Sequence, residues 1–385
     1  MRRINKNKCN LSSAEMLGND KKEVMEPLNR VKSYLPGTEE FEQLEAFDKR
    51  RCKDNSMSQG RQHDKSGKKF NNNDNILPFD FNRVVLNNPI NKVDYLNASW
   101  ISKAINERYD SLEFVPYRPY SKINFIVTQR PRMNTLPHFY QMVHENVASV
   151  IIAISDHEDK KCDVSDGLEI FGNTTVISNK RYNIHEHVTK NEIELQNTVS
   201  TARFSQMVII YEYNSWTKPN AKDNRFSQIE IERFLQFLCI VMKDLDNVKD
   251  ELTIVAHDDE NGVGPAAIWI ALYNLIQQFD EAVAKASKGK SPIVIDLEMK
   301  KLDVFKTVNE LRKQRTKMVN SFAYYSFVFE CLNFYCNNKE KLDKIRPQIE
   351  IQTEYYLDQR SSSTDYVNAN SNQYQNQQNF YQNCS

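Results

Sequence analysis

The chain has 385 residues with 51 basic and 51 acidic side chains, so its net charge is zero and bulk charge favours neither nucleic acid nor an anionic membrane as a partner. Seven cysteines, Cys9, Cys52, Cys162, Cys239, Cys331, Cys336 and Cys384, form no CxxC pair and no set with histidines, which points to reduced thiols in an intracellular chain. No run of about 18 apolar residues marks a membrane span, and the opening MRRINKNKCN lacks the apolar core of a signal peptide, so a cytoplasmic protein is expected, peripheral at most to the inner face of a membrane.

Residues 1–36 are polar and mixed in charge, which predicts a flexible segment. In EEFEQLEAF, Phe41, Leu44 and Phe47 recur at helical intervals with acids between them, the pattern of one amphipathic helix. Residues 55–75 are Ser, Gly, Gln, Lys and Asn with almost nothing apolar, which predicts a solvent-exposed insertion loop. Alternation and β-branched content predict strands over 83–86, 96–102, 124–128, 147–155, 174–177 and 207–213. Apolar residues at helical spacing predict helices over 136–146, 228–245, 266–279, 299–313 and 322–334. Strands mixed with long helices, and no repeat period, indicate an α/β or α+β sheet fold in one domain over 37–345. Residues 346–385, ending in a stretch rich in Asn, Gln, Ser and Tyr, are expected to be disordered.

The most informative segment is LTIVAHDDENGVGPAAIWIALYNLI, residues 252–276: a strand run, a glycine-containing turn and an apolar helix. Backbone N–H groups at such a loop and helix start attract an anion. Here Asp258, Asp259 and Glu260 already place carboxylates there, and the loop holds no cysteine, serine or arginine. Read from the residues alone, the acids satisfy orphan donors at a helix start, and Pro265 suits the first helical turn. His257 and the three consecutive acids cannot converge on one metal ion, so neither a metal nor another cofactor is expected.

Four ordered segments resemble the protein tyrosine phosphatase domain, over roughly residues 39–336. DYLNASWI, from Asp94, is similar to that family's DYINAS strand, and FIVTQRPRMNTLPHFYQMVHENVASVIIAI, from Phe125, to its TQGPL block and the strand after it. VIIYEYNSW, from Val208, resembles the strand before the family's acid loop, and KTVNELRKQRTKMVNSFAYYSF, from Lys306, the helices around its glutamine loop. The resemblance implies a twisted mixed sheet flanked by helices, with the reaction centre after the strand ending near His257.

The chemistry that the resemblance implies needs a cysteine thiolate to attack phosphorus, an arginine to grip the phosphoryl oxygens and an aspartic acid to protonate the leaving tyrosine oxygen. The family's loop reads HCSAGVGRTG. Matching its GVG to Gly262, Val263 and Gly264 puts Asp259 at the nucleophile, Asp258 at the preceding histidine and Pro265 at the arginine. With one extra residue in the loop, His257 matches the histidine and Asp258 the nucleophile. After Trp216 the family's Pro-Asp is missing: Lys218 or Asn220 stands at the general acid, and Asp223, the nearest acid, has the wrong offset. Asn320 and Tyr324 stand at the two glutamines. KRRCKDN resembles the family's KNRYKDV, with Cys52 where a tyrosine stacks on the phosphotyrosine ring and Asp54 retained; Lys161 and Cys162 resemble the lysine loop.

These departures predict a pseudophosphatase, a phosphatase-like protein without catalysis that regulates signalling by binding other proteins. The family implies a kinase or an adaptor as partner. A phosphotyrosine-binding trap or a residual phosphatase is the alternative reading.

Overall fold

The structure, a computed structural model, describes residues 37–55, 70–102, 123–156, 168–197, 205–246, 252–287, 302–345 and 350–354. The expected flexible segment 1–36, most of the insertion (56–69), Lys161, Cys162 and residues 355–385 lie outside the described residues.

The chain enters through helix α1 (Thr38–Asp54), then forms strands β1 (Arg83–Ile90), β2 (Val93–Ile101) and β3 (Ile123–Gln129), helix α2 (Leu136–Glu145) and strand β4 (Ala148–Ile154). Strands β5 (Leu168–Phe171), β6 (Thr174–His185), β7 (Val188–Asn197) and β8 (Ser205–Tyr213) follow. Helix α3 (Gln228–Asp246), strand β9 (Leu252–Asp258), helices α4 (Pro265–Ser287), α5 (Val304–Gln314) and α6 (Phe322–Asp343), and strand β10 (Glu350–Glu354) complete it. The strands form one ten-stranded sheet in the order β1-β2-β3-β9-β4-β8-β7-β6-β10, with β5 paired to β6. β3, β9, β4 and β8 run parallel, and the flanking pairs are antiparallel. This is the mixed sheet flanked by helices that the sequence predicted.

Successive strand residues face opposite sides of a sheet, and the parallel centre uses both sides. On β9, Leu252, Ile254 and Ala256 join the large core with α3, α4, α5 and α6, whereas Val255 joins the smaller core under α2. Residues 266–272 of α4 are all 0 % exposed, because this helix is apolar on every face and runs through the large core. Parallel strands covered on both sides have their carboxyl ends at one edge, and β9 delivers Asp258 there, beside Gln129 of β3 and Ile154 of β4.

Three expectations need correction. Residues 70–73 are not solvent-exposed, although Asp74 and Asn75 are: Asn71 is buried, accepting hydrogen bonds from Tyr95 Oη at 2.9 Å and Asn97 Nδ2 at 3.2 Å, and Asn72 N–H donates to Gln129 Oε1 at 2.8 Å. Side-chain amides there find partners that composition does not reveal. The tail is not structureless from 346, since β10 pairs antiparallel with β6. Strand β7 lacked a strong signal because its half-buried positions carry Lys190, Glu192 and Glu194, with Ile193 and Leu195 buried between them.

Candidate functional site

At the end of β9 the chain turns through residues 259–264 into α4. Asp258 is 0 % exposed, and its two carboxylate oxygens collect four backbone N–H groups. Glu260 N–H and Gly262 N–H donate to Oδ1 at 2.9 and 2.6 Å; Gly264 N–H and Ala266 N–H donate to Oδ2 at 3.1 and 2.9 Å. Two donors per oxygen is what a carboxylate accepts, and Ala266 N–H is one of the orphan donors at the start of α4. Pro265 begins that helix, where its missing N–H costs nothing.

Backbone geometry makes this ring possible. Gly262 has φ +73°, and a Cβ there would lie 2.5 Å from Val127 Cγ1 and 2.6 Å from the Thr128 carbonyl oxygen, so no other residue fits. Asn261, at φ +62°, is among the residue types that tolerate the left-handed region.

The carboxylate inside the ring belongs to Asp258, and that of Asp259 lies outside it, so of the two acids matched to the nucleophile it is Asp258 that occupies the anion position. Strand alternation agrees: His257 faces the other side of the sheet, with its ring edge-on to Phe139 at 5.6 Å. Burial and the Arg130 charge lower the His257 pKa to about 3, so it is neutral. Asp259 points outward instead, with Oδ1 2.8 Å from Arg130 Nη1.

Glu260 folds back across the loop. A Cβ on Gly264 would lie 2.9 Å from Glu260 Cβ, Cδ and Oε2. Its carboxylate accepts hydrogen bonds from Asn320 Nδ2 at 2.9 Å and from the Tyr324 hydroxyl. Asn320 and Tyr324, expected where the family positions water, therefore hold a side chain of the loop itself. The Ser321 hydroxyl caps α6 by accepting Tyr324 N–H at 3.2 Å, which fixes the turn from which the Tyr324 ring projects.

Two buried arginines tie these parts together. Arg312 is 0 % exposed; its Nε donates to the Met318 carbonyl and Nη2 to the Val319 carbonyl, both at 2.9 Å. Arg315, also 0 % exposed, donates through Nη2 to Asn97 Oδ1 at 2.7 Å and to the Asn261 carbonyl at 2.8 Å, and through Nη1 to Ser99 Oγ at 2.9 Å. Burial lowers the Arg315 pKa to about 10, opposed by Tyr95 and Asp258, so it remains a cation beneath the loop. Burial also pushes the Asp258 carboxyl up to about 7, against the pull of the loop N–H donors.

The remaining candidates lie apart from this ring. Lys218 and Asn220 are exposed; Asn220 Oδ1 accepts Lys222 N–H at 2.9 Å, and Asp223 Oδ1 accepts Arg225 N–H at 3.3 Å, so this stretch is organised by its own turns. Cys52 is half-buried, with Sγ 3.4 Å from Thr316 Oγ1, whose hydroxyl donates to Asp48 at 3.0 Å. Asp54 is exposed. Arg130 and Arg315 were missed as site residues, and Glu260, expected at the loop donors, bonds to Asn320 and Tyr324 instead. A signal existed for Arg130, which stands where the quoted TQGPL block has glycine.

A model of the family described as Protein-tyrosine phosphatase matches residues 67–334, more than half of the chain, and the chain belongs to that family. The match begins inside the insertion, so Cys52 and Asp54 fall outside it. Among curated proteins, the receptor-type tyrosine-protein phosphatase alpha of Homo sapiens is 24 % identical over 324 residues, covering 80 % of this chain and 34 % of that protein. Tyrosine-protein phosphatase 2 of Dictyostelium discoideum is 22 % identical over 261 residues, covering 65 % of this chain and 58 % of that protein. The chain thus spans about a third of the receptor-type relative's length. Among the described residues, no helix is long and apolar enough to cross a membrane.

Proposed function

We propose that this chain is a catalytically inactive tyrosine phosphatase-like protein that acts in the cytoplasm as a regulatory or scaffolding partner of signalling proteins, a kinase or an adaptor among them. The observation that carries this reading is the Asp258 carboxylate inside the ring of loop N–H groups. A phosphoryl group needs those donors, and the protein has filled them with its own carboxyl group. Each pair of unit charges about 4 Å apart repels by about 4 kcal/mol at an effective dielectric near 20, and a phosphotyrosine dianion would meet the Glu260 carboxylate, joined by Asp258 above about pH 7. No thiol stands at the nucleophile, Pro265 replaces the arginine, and neither Lys218 nor Asn220 is a carboxylic acid. The same repulsion argues against the phosphotyrosine trap.

The test is a paired assay on the purified chain. Phosphate release from a phosphotyrosine peptide is expected to equal the buffer blank, and titration with phosphorylated and unphosphorylated forms of the peptide to give equal or absent binding. Hydrolysis that Asp258→Ala abolishes would overturn the reading in favour of a residual enzyme. Selective binding of the phosphorylated form without turnover would replace it by the trap.

A further inference from the structure

Glu260 stands between two parts of the pocket rim that are far apart in sequence. On one side is the loop after β9; on the other are Asn320 and Tyr324, whose side chains both donate to the Glu260 carboxylate. The Tyr324 ring continues outward. It meets Trp216 edge-on at 5.6 Å and Phe226 at 5.9 Å. These two aromatics bracket residues 217–225, which are exposed except for half-buried Pro219, while Trp216 and Phe226 are each 7 % exposed.

We propose that Glu260 is an internal latch, a positioning residue whose carboxylate ties the β9–α4 loop to α6 and, through the Tyr324 ring, keeps residues 216–226 seated so that the rim holds one conformation without a bound ligand. The physical argument starts at the Tyr324 hydroxyl. Tyr324 is 4 % exposed, and a buried hydroxyl without an acceptor carries a desolvation penalty. Glu260 supplies the acceptor. Burial and the nearby Glu260 charge raise the tyrosine pKa far above its ordinary value, so the hydroxyl remains a donor. When the carboxylate is removed, the ring gains by turning its hydroxyl towards water, and Trp216 and Phe226 lose one packing face together.

The rest of the seat is too small to compensate. Trp216 keeps Phe234 at 5.3 Å and Phe327 at 5.6 Å, Phe226 keeps Phe327 at 4.3 Å, Trp216 N–H donates to the Ser155 carbonyl at 3.2 Å and the Thr217 hydroxyl to Glu230, all at or next to the two ends. Between the ends, Asn220 N–H bonds to the Arg225 carbonyl and Asn224 N–H to the Asn220 carbonyl, both at 2.8 Å, a turn that can swing as a unit.

Hydrogen exchange on the full chain tests the latch. Glu260→Ala is expected to speed exchange at the Trp216, Asn220 and Asn224 amides at least tenfold, with amides of β9 and of central α4 unchanged. Glu260→Gln, whose side-chain oxygen still accepts, should stay close to wild type. Gly264→Ala, whose Cβ displaces Glu260, should resemble Glu260→Ala. No change in the segment for Glu260→Ala, or equal acceleration in β9 and α4, overturns the proposal. Should Glu260→Ala fail to fold, Gly264→Ala, whose Cβ would lie 2.9 Å from the Glu260 carboxylate, decides by the same criterion. The latch goes beyond the functional reading, because the exchange experiment contains no phosphate and its outcome is separate from that of the turnover assay.

Discussion

At the scale of single residues, three consecutive acids have three different fates. Asp258 is consumed by backbone donors, Asp259 by Arg130, and Glu260 by Asn320 and Tyr324. Sequence reading saw the carboxylates and their opposition to phosphate, and put Asp259 at the nucleophile with Asp258 as the alternative. A shift of one residue in a strand turns the side chain to the other face, and alignment to a short glycine motif cannot detect it. Asp258→Ala leaves four buried N–H groups without an acceptor, and chemical denaturation near pH 5 should show a loss of about 3–5 kcal/mol. Asp258→Asn isolates the titration. The folded carboxyl, raised to about 7 from 3.8, holds a proton that the unfolded chain releases, so Asp258 makes stability fall as pH rises between those values. The deficit of the Asn variant relative to wild type should therefore shrink from pH 4 to pH 7. A deficit constant with pH would refute this assignment.

Elements position these residues through backbone contacts. Gly262 lets the β9–α4 loop lie against β3, and Gly262→Ala, strained at φ +73° and overlapping Val127 and Thr128, should cost about 2–4 kcal/mol in an unfolding titration. The loop is also bonded to the segment after α5: Val319 N–H donates to the Val263 carbonyl at 2.8 Å, and Arg312 and Arg315 fasten the same region from below. Val319 is a β-branched residue at φ +59°, a conformation it holds only because its surroundings impose it. Restoring isolated parts should not restore catalysis. Asp258→Cys with Pro265→Arg and an acid at Asn220 is expected to release no phosphate above the blank, since Glu260 still crosses the loop and Asn320 and Tyr324 remain engaged with it. Strong turnover in that variant would show that the pocket retains more of the family's chemistry than its contacts indicate.

For the molecule as a whole, the half-buried His257 and the buried His138 oppose acid. His257, lowered to about 3, and His138, lowered to about 4 by burial, stay neutral while the unfolded chain takes up protons near 6.5. Their contribution is complete above about pH 6.5 and is lost as pH falls towards 4, opposite in sign to that of Asp258. His138 packs edge-on to Phe70 at 5.0 Å, and His138→Phe should flatten the acid side of a plot of melting temperature against pH. An unchanged acid slope would show that His138 does not carry it.

Fold class and family were legible because they rest on long-range patterning: β-branched strand runs, helical apolar spacing and four ordered segments of family sequence. That residues 258–264 hold no cysteine, serine or arginine was equally legible, since it is visible in one dimension. What only the tertiary structure decided is where each carboxylate goes. Arg130, Glu260 and Tyr324 are separated by more than a hundred residues at the first step and by sixty-four at the second, and no local pattern pairs them. Sequence fixes which charges are present; their partners are set by which strand ends and helix turns packing brings together, because a buried charge is retained only where fixed donors meet it.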